Sequence, residues 1–176
     1  IKKTMSGDVM NIKKIRVDKE GAGMGWGAVY AQYLESMDQI SGQGNGLSVS
    51  RQLYKGDEAL NESAPLKVGD KITVRLTVKA DRDMDFVQIK DDRAACMEPL
   101  QAVSGFRWSN GLGYYQATKD ASTQFFIDQM RKGTYVIEYQ VYVNRTGEYQ
   151  AGIATVQSAY APEFGGHTGG YRVMVE

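Results

Sequence analysis

The sequence predicts an all-β protein, an antiparallel β-sandwich with long loops. Two segments and one absence predict it. Lys71–Lys79 alternates without a break: Ile72, Val74, Leu76 and Val78 share one face, and Lys71, Thr73, Arg75, Thr77 and Lys79 the other. Tyr135–Asn144 repeats the pattern, with Tyr135, Ile137, Tyr139, Val141 and Val143 together. Such alternation puts one face of a strand in a core and the other in water. No stretch long enough for a helix carries a convincing 3.6-residue period.

The remaining elements follow from shorter runs. Arg145-Thr146-Gly147 is a glycine turn, and Glu148–Val156 alternates after it with Tyr149, Ala151 and Ile153 on one side. The pair reads as a β-hairpin. Further strands are expected over Val9–Ile15, Gly27–Leu34, Leu47–Tyr54, Met84–Ile89, Tyr114–Thr118, Gln124–Asp128 and Gly170–Val175. Asp120–Met130 is read as strand because Thr123, Phe125 and Ile127 alternate. Leu34–Gly46 and Lys55–Pro65 read as loops. Turn signals every ten to fifteen residues or so favour a sandwich over alternating strands and helices.

Length suggests one domain, large enough to bury a core without a staple. The chain has 176 residues, with 21 basic and 21 acidic side chains, so its net charge is zero. That balance lacks the basic footprint of a nucleic-acid binder and the attraction to an anionic membrane. No apolar run is long enough for a membrane span, and membrane insertion is not expected. The chain opens at Ile1 on a charged, strand-like segment, and the expectation is a piece of a longer precursor.

Chemistry has little to build on. His167, the single histidine, sits among glycines and is read as an exposed loop residue. Cys96, the single cysteine, has no histidine near it in sequence and reads as a small buried hydrophobe. Asp81, Asp83, Asp85 and Asp92 have part of a calcium-loop spacing, but Phe86 stands where that loop needs glycine. No Cys/His set suits zinc. No metal or other cofactor is expected, and no catalytic residue. Aromatic residues carry more weight: Trp108, Tyr114 and Tyr115, with Phe106 and Trp26, form a candidate platform for a sugar, against the alternative that they pack a core or a partner.

Three stretches taken together carry a resemblance. They are VGDKITVRLTVKADRDMDFVQIKDDRAACMEPL at Val68–Leu100, GLGYYQATKDAST at Gly111–Thr123, and FFIDQMRKGTYVIEYQVYVNRTGEYQAGIATVQSAYAPEFGGHTGG at Phe125–Gly170. The order of these elements resembles the C-terminal domain of bacterial alpha-2-macroglobulins, especially those of Bacteroidetes-type bacteria. The resemblance implies a macroglobulin- or immunoglobulin-like sandwich over residues 26–176, with residues 1–25 leading from a preceding domain. It implies a non-catalytic part of a periplasmic or cell-envelope protein that traps proteases. The neighbouring domain in the same chain would carry a thioester, and this domain would pack against it. In such relatives a Met-Tyr pair before a proline turn covers the thioester. The matching positions here are Ala159 and Tyr160, followed by Ala161, Pro162 and Glu163; Tyr160 fits and Ala159 departs. The thioester signature itself is absent, since Met97, Glu98 and Pro99 follow Cys96. The other reading kept open is a stand-alone carbohydrate-binding or adhesion sandwich.

Overall fold

A computed structural model describes residues 14–27, 34–61 and 64–176. The chain divides into two compact units, 1–35 and 36–176. In the first unit the described residues form no regular element and are exposed. Strands expected over Val9–Ile15 and Gly27–Leu34 lie largely outside the described residues. The division falls after Glu35.

Among its described residues the second unit holds fourteen strands and one 3-10 turn at Met37–Gln39. The strands are β1 (Gln43–Asn45), β2 (Leu47–Lys55), β3 (Glu58–Ala59), β4 (Lys71–Ala80), β5 (Met84–Asp92), β6 (Met97–Pro99) and β7 (Gly105–Ser109). They continue as β8 (Leu112–Thr118), β9 (Ser122–Met130), β10 (Gly133–Val143), β11 (Gly147–Ala151), β12 (Ala154–Ser158), β13 (Gly165–His167) and β14 (Tyr171–Val175). One antiparallel ladder runs β6-β10-β4-β2, turns through β1, and continues β13-β12-β5-β9-β8-β7. A small ladder of β11 and β14 stands apart from it.

The long ladder doubles over at β1 and β13 into two layers, as contacts across the core show. Arg51 on β2 and Tyr139 on β10 both reach Asp91 on β5. Phe125 on β9 lies against Tyr139, with ring centroids 5.9 Å apart, and against Tyr114 on β8 at 5.7 Å. Between the layers lie Ile72, Val74, Leu76 and Val78 of β4 and Ile137, Tyr139, Val141 and Val143 of β10, all buried as the alternation predicts. Cys96 is wholly buried among them, and burial raises its thiol pKa. The fold is the expected antiparallel sandwich.

Two expectations fail for physical reasons. Tyr135–Asn144 and Glu148–Val156 do not form a hairpin. The end of β10 where pairing would start is occupied on both edges: β6 pairs with Val141–Val143 on one side, and β4 pairs through Tyr142 on the other. The backbone beyond it is also engaged, Val143 bonding both ways with the Gly69-Asp70 turn. Glu148–Val156 itself splits at Gly152, where the inward phase slips from Ala151 to Ala154 and Val156. A side chain at Gly152 would lie 2.4 Å from Cβ of Asp92, so only glycine lets β5 pass. His167 is not an exposed loop residue: it is half-buried on β13, held between β1 and β12.

A buried polar cluster pins the layers together. Arg51 donates to Asp91 and, at 2.6 Å, to the Gly152 carbonyl. The Tyr139 hydroxyl donates to the other Asp91 oxygen at 2.8 Å. Tyr171 lies beneath the guanidinium, 4.5 Å from its ring centre. Burial dominates their titration, lifting the Asp91 carboxyl above its usual range and pushing the Tyr171 hydroxyl up to about 12.

Candidate interaction face

The two outer faces of the sandwich differ in chemistry. On the β10-β4-β2 layer the outward residues are Lys71, Thr73, Arg75, Thr77 and Lys79 of β4, Ser48, Ser50 and Gln52 of β2, and Glu138 and Gln140 of β10. Tyr54 lies flat under Arg75 there, 4.2 Å from the guanidinium. This is an ordinary solvated face.

The β5-β9-β8-β7 layer presents aromatic rings instead. Phe106 on β7 stands opposite Tyr115 on β8, and Tyr115 opposite Phe126 on β9. Gln88 and Gln157 complete that row. Trp108 is 78% exposed and lies across Gly113, where a Cβ would come within 2.8 Å of the indole. The hairpin that carries both rings turns on Asn110-Gly111, with φ of 49° and 77°. Those values suit a two-residue turn whose twist matches the strands.

At the other end of the same face stands Tyr160, 79% exposed. Its segment is firmly placed. Ser158 donates to the Phe164 carbonyl at 3.0 Å, and Phe164 to the Ala161 carbonyl at 2.9 Å. Asn45 donates to the Glu163 carbonyl at 2.7 Å, and Gln157 to the Pro162 carbonyl at 3.2 Å. Ala159, Pro162 and Glu163 are exposed around it. The Tyr160 ring meets Phe86 of β5 edge to face, with centroids 5.1 Å apart and planes at 88°. Phe86 is 48% exposed and has a φ of 52°. That left-handed backbone costs an L-residue roughly 1–2 kcal/mol.

The structure thus brings Trp108, Tyr115 and Tyr160 to one face, together with Phe106, Phe126 and Phe86. It does not bring Tyr114 there: that ring points inward, 5% exposed, and packs on Phe125. Inward and outward positions alternate along β8, so adjacent tyrosines cannot share a face. Nor are the exposed rings coplanar, since Phe106 and Tyr115 cross at 76°. Phe126 was legible from its alternation with Phe125 and Ile127. Phe86 carries no sequence signal, because nothing in a strand-forming run announces a positive φ.

A cleft of about 490 Å³ lies along the edge of β2, lined by Val49, Arg51, Leu53, Leu60, Tyr171 and Val173 among others. Its charged groups are engaged. Arg51 is held by Asp91, and Arg172 by Asp38 at 2.8 Å and Glu148 at 2.7 Å. Arg172 holds the Asp38 carboxyl below its usual range. Among the described residues no three His, Cys, Asp or Glu side chains gather as metal ligands would. No helix among them is long and apolar enough to cross a membrane.

The described strands thus form an all-β sandwich with one polar and one aromatic outer face. Residues 46–163 match the family described as "Bacterial Alpha-2-macroglobulin MG10 domain", and the chain belongs to that family. Among solved structures it is similar to Escherichia coli alpha-2-macroglobulin activated by porcine elastase, with a TM-score of 0.66 and 16% identity over 78% of this chain and 14% of that one. It is likewise similar to Salmonella alpha-2-macroglobulin reacted with methylamine, with a TM-score of 0.63 and 20% identity over 77% of this chain and 10% of that one. Among curated proteins it resembles "Circularly permutated Ras protein 2" of Dictyostelium discoideum, 29% identical over 138 residues, which are 74% of this chain and 4% of that protein. The chain thus spans only a small part of the proteins it matches.

Proposed function

We propose that this is a non-catalytic docking domain of a protease-trapping, alpha-2-macroglobulin-type protein of the bacterial cell envelope. Its aromatic face packs against the neighbouring thioester domain of the same chain, and Tyr160 shields the reactive acyl group from water until a protease cuts the parent. One observation carries this reading: Tyr160 stands 79% exposed on a hydrogen-bonded loop at the edge of an exposed aromatic face. Soluble domains rarely leave so many large rings on one face without a partner. A large amphipathic ring is suited to excluding water from an acyl carbon while its hydroxyl stays solvated. The matched relatives support the partner's identity, since the named structures record reaction with methylamine and activation by a protease. They also leave most of the parent outside this chain to supply it.

The test uses the full-length parent, wild type and Tyr160→Ala. Protease is added and covalent adducts are sought, and thiol release by methylamine is followed in the resting protein. Adducts in wild type with faster thiol release in Tyr160→Ala are expected. Equal release rates would reject the shield, and no thiol release from either would reject a thioester partner.

A further inference from the structure

Three features converge on Phe86. Its backbone sits at a φ of 52°, where a bulky residue is a genuine outlier; Asn110, the other non-glycine at positive φ among the described residues, is a type that tolerates it. Side-chain alternation along β5 slips at this point: Met84 and Val87 both face the core, and Asp85 and Phe86 between them are both exposed. Finally, the Phe86 carbonyl accepts the N–H of Ala159 at 2.9 Å, which ties this kink to the residue just before Tyr160. The kink keeps Met84 and Val87 in the core, and it turns the phenyl ring outward, where it is 48% exposed. Backbone strain of this kind is costly and clusters at functional sites.

We propose that Phe86 is the supporting half of a two-ring cap. Its kinked backbone turns the ring outward, and the ring props that of Tyr160 edge to face, with centroids 5.1 Å apart. The pair then presents one continuous apolar contact to the neighbouring domain of the same chain, around its reactive acyl group. Ala159 contributes a single methyl and cannot support the tyrosine in this way. This inference rests on the shielding role proposed above. Phe86 acts through Tyr160 and is a positioning residue.

Glycine tolerates the left-handed backbone, so Phe86→Gly removes the ring and the strain together. In the full-length parent the resting rate of methylamine-induced thiol release is measured for wild type, Phe86→Gly, Phe86→Tyr, Tyr160→Ala and the Phe86→Gly/Tyr160→Ala pair. An edge-to-face pair of this size implies a rise of roughly three- to tenfold for Phe86→Gly. Phe86→Tyr keeps the pair and stays near the wild-type rate. The double variant is no faster than Tyr160→Ala alone, since the two residues act as one unit. Thermal unfolding of Phe86→Gly at or above the wild-type midpoint excludes misfolding as the cause. A wild-type rate in Phe86→Gly beside a fast Tyr160→Ala would overturn the cap and leave the shield standing. Wild-type rates in both, from a parent that does release thiol, would overturn the shield itself and the cap with it.

Discussion

Replacing Asp91 with alanine removes the centre of the cluster that joins the two layers. The side chains of Arg51 and Asp91 are 5% and 1% exposed, so water does not take over when the carboxylate goes. Arg51 keeps its bond to the Gly152 carbonyl but loses its counter-charge, and the Tyr139 hydroxyl loses its acceptor. Breaking a buried ion pair from one side costs about 3–5 kcal/mol, because a charge is left uncompensated. For a chain of this size that lowers the unfolding midpoint by ~10 °C or more. Thermal and urea unfolding of the purified chain measures it. A second variant separates charge from packing: Arg51→Met, Asp91→Leu and Tyr139→Phe together replace the three side chains bonded through Asp91 with apolar ones of similar volume. Its expected loss is much smaller, since apolar replacement of a buried pair is often neutral. Loss of under about 1 kcal/mol in Asp91→Ala would refute the argument, as it would mean the pair is already hydrated.

Two further predictions concern stability. Gly152→Ala places a methyl 2.4 Å from Cβ of Asp92, and the strand crossing must shift; a loss of about 1–3 kcal/mol is expected in urea unfolding. The bond from Lys55, first among its influences, holds the Asp70 carboxyl below its ordinary value of 3.8. A depressed carboxylate stabilises the fold above its unfolded pKa, and that contribution fades as pH falls below about 4 through the folded value. Lys55→Met should therefore flatten the acid limb of the stability profile, and an unchanged limb would reject the pair as its source.

The strand alternations were legible because the sheet's period of two is written into the residues themselves. Ile72–Val78 and Ile137–Val143 face inward as read, and the sandwich followed from them. Pairing was less legible. Whether β10 turns back onto β11 depends on which edges are already taken, and β6, a three-residue strand, takes the decisive one. Short strands such as β1, β6 and β13 have too few residues to show a period. The hairpin of β7 and β8 is different: Asn110-Gly111 is a strong local signal, and the expected strands began only at Tyr114. At the candidate face, Tyr160, Tyr115 and Trp108 could be named as candidates. Their convergence with Phe86 could not, since it depends on a backbone angle and on the register of four strands.

The central claim is that the aromatic face is covered by a neighbouring domain in the resting parent. Radical footprinting of the full-length protein before and after protease treatment tests it most directly, read at Phe106, Trp108 and Tyr160, with Tyr54 and Tyr142 on the opposite layer as internal controls. The account predicts low labelling of the first three at rest and a marked rise after cleavage, with the controls unchanged. High labelling of that face in the resting protein would contradict it.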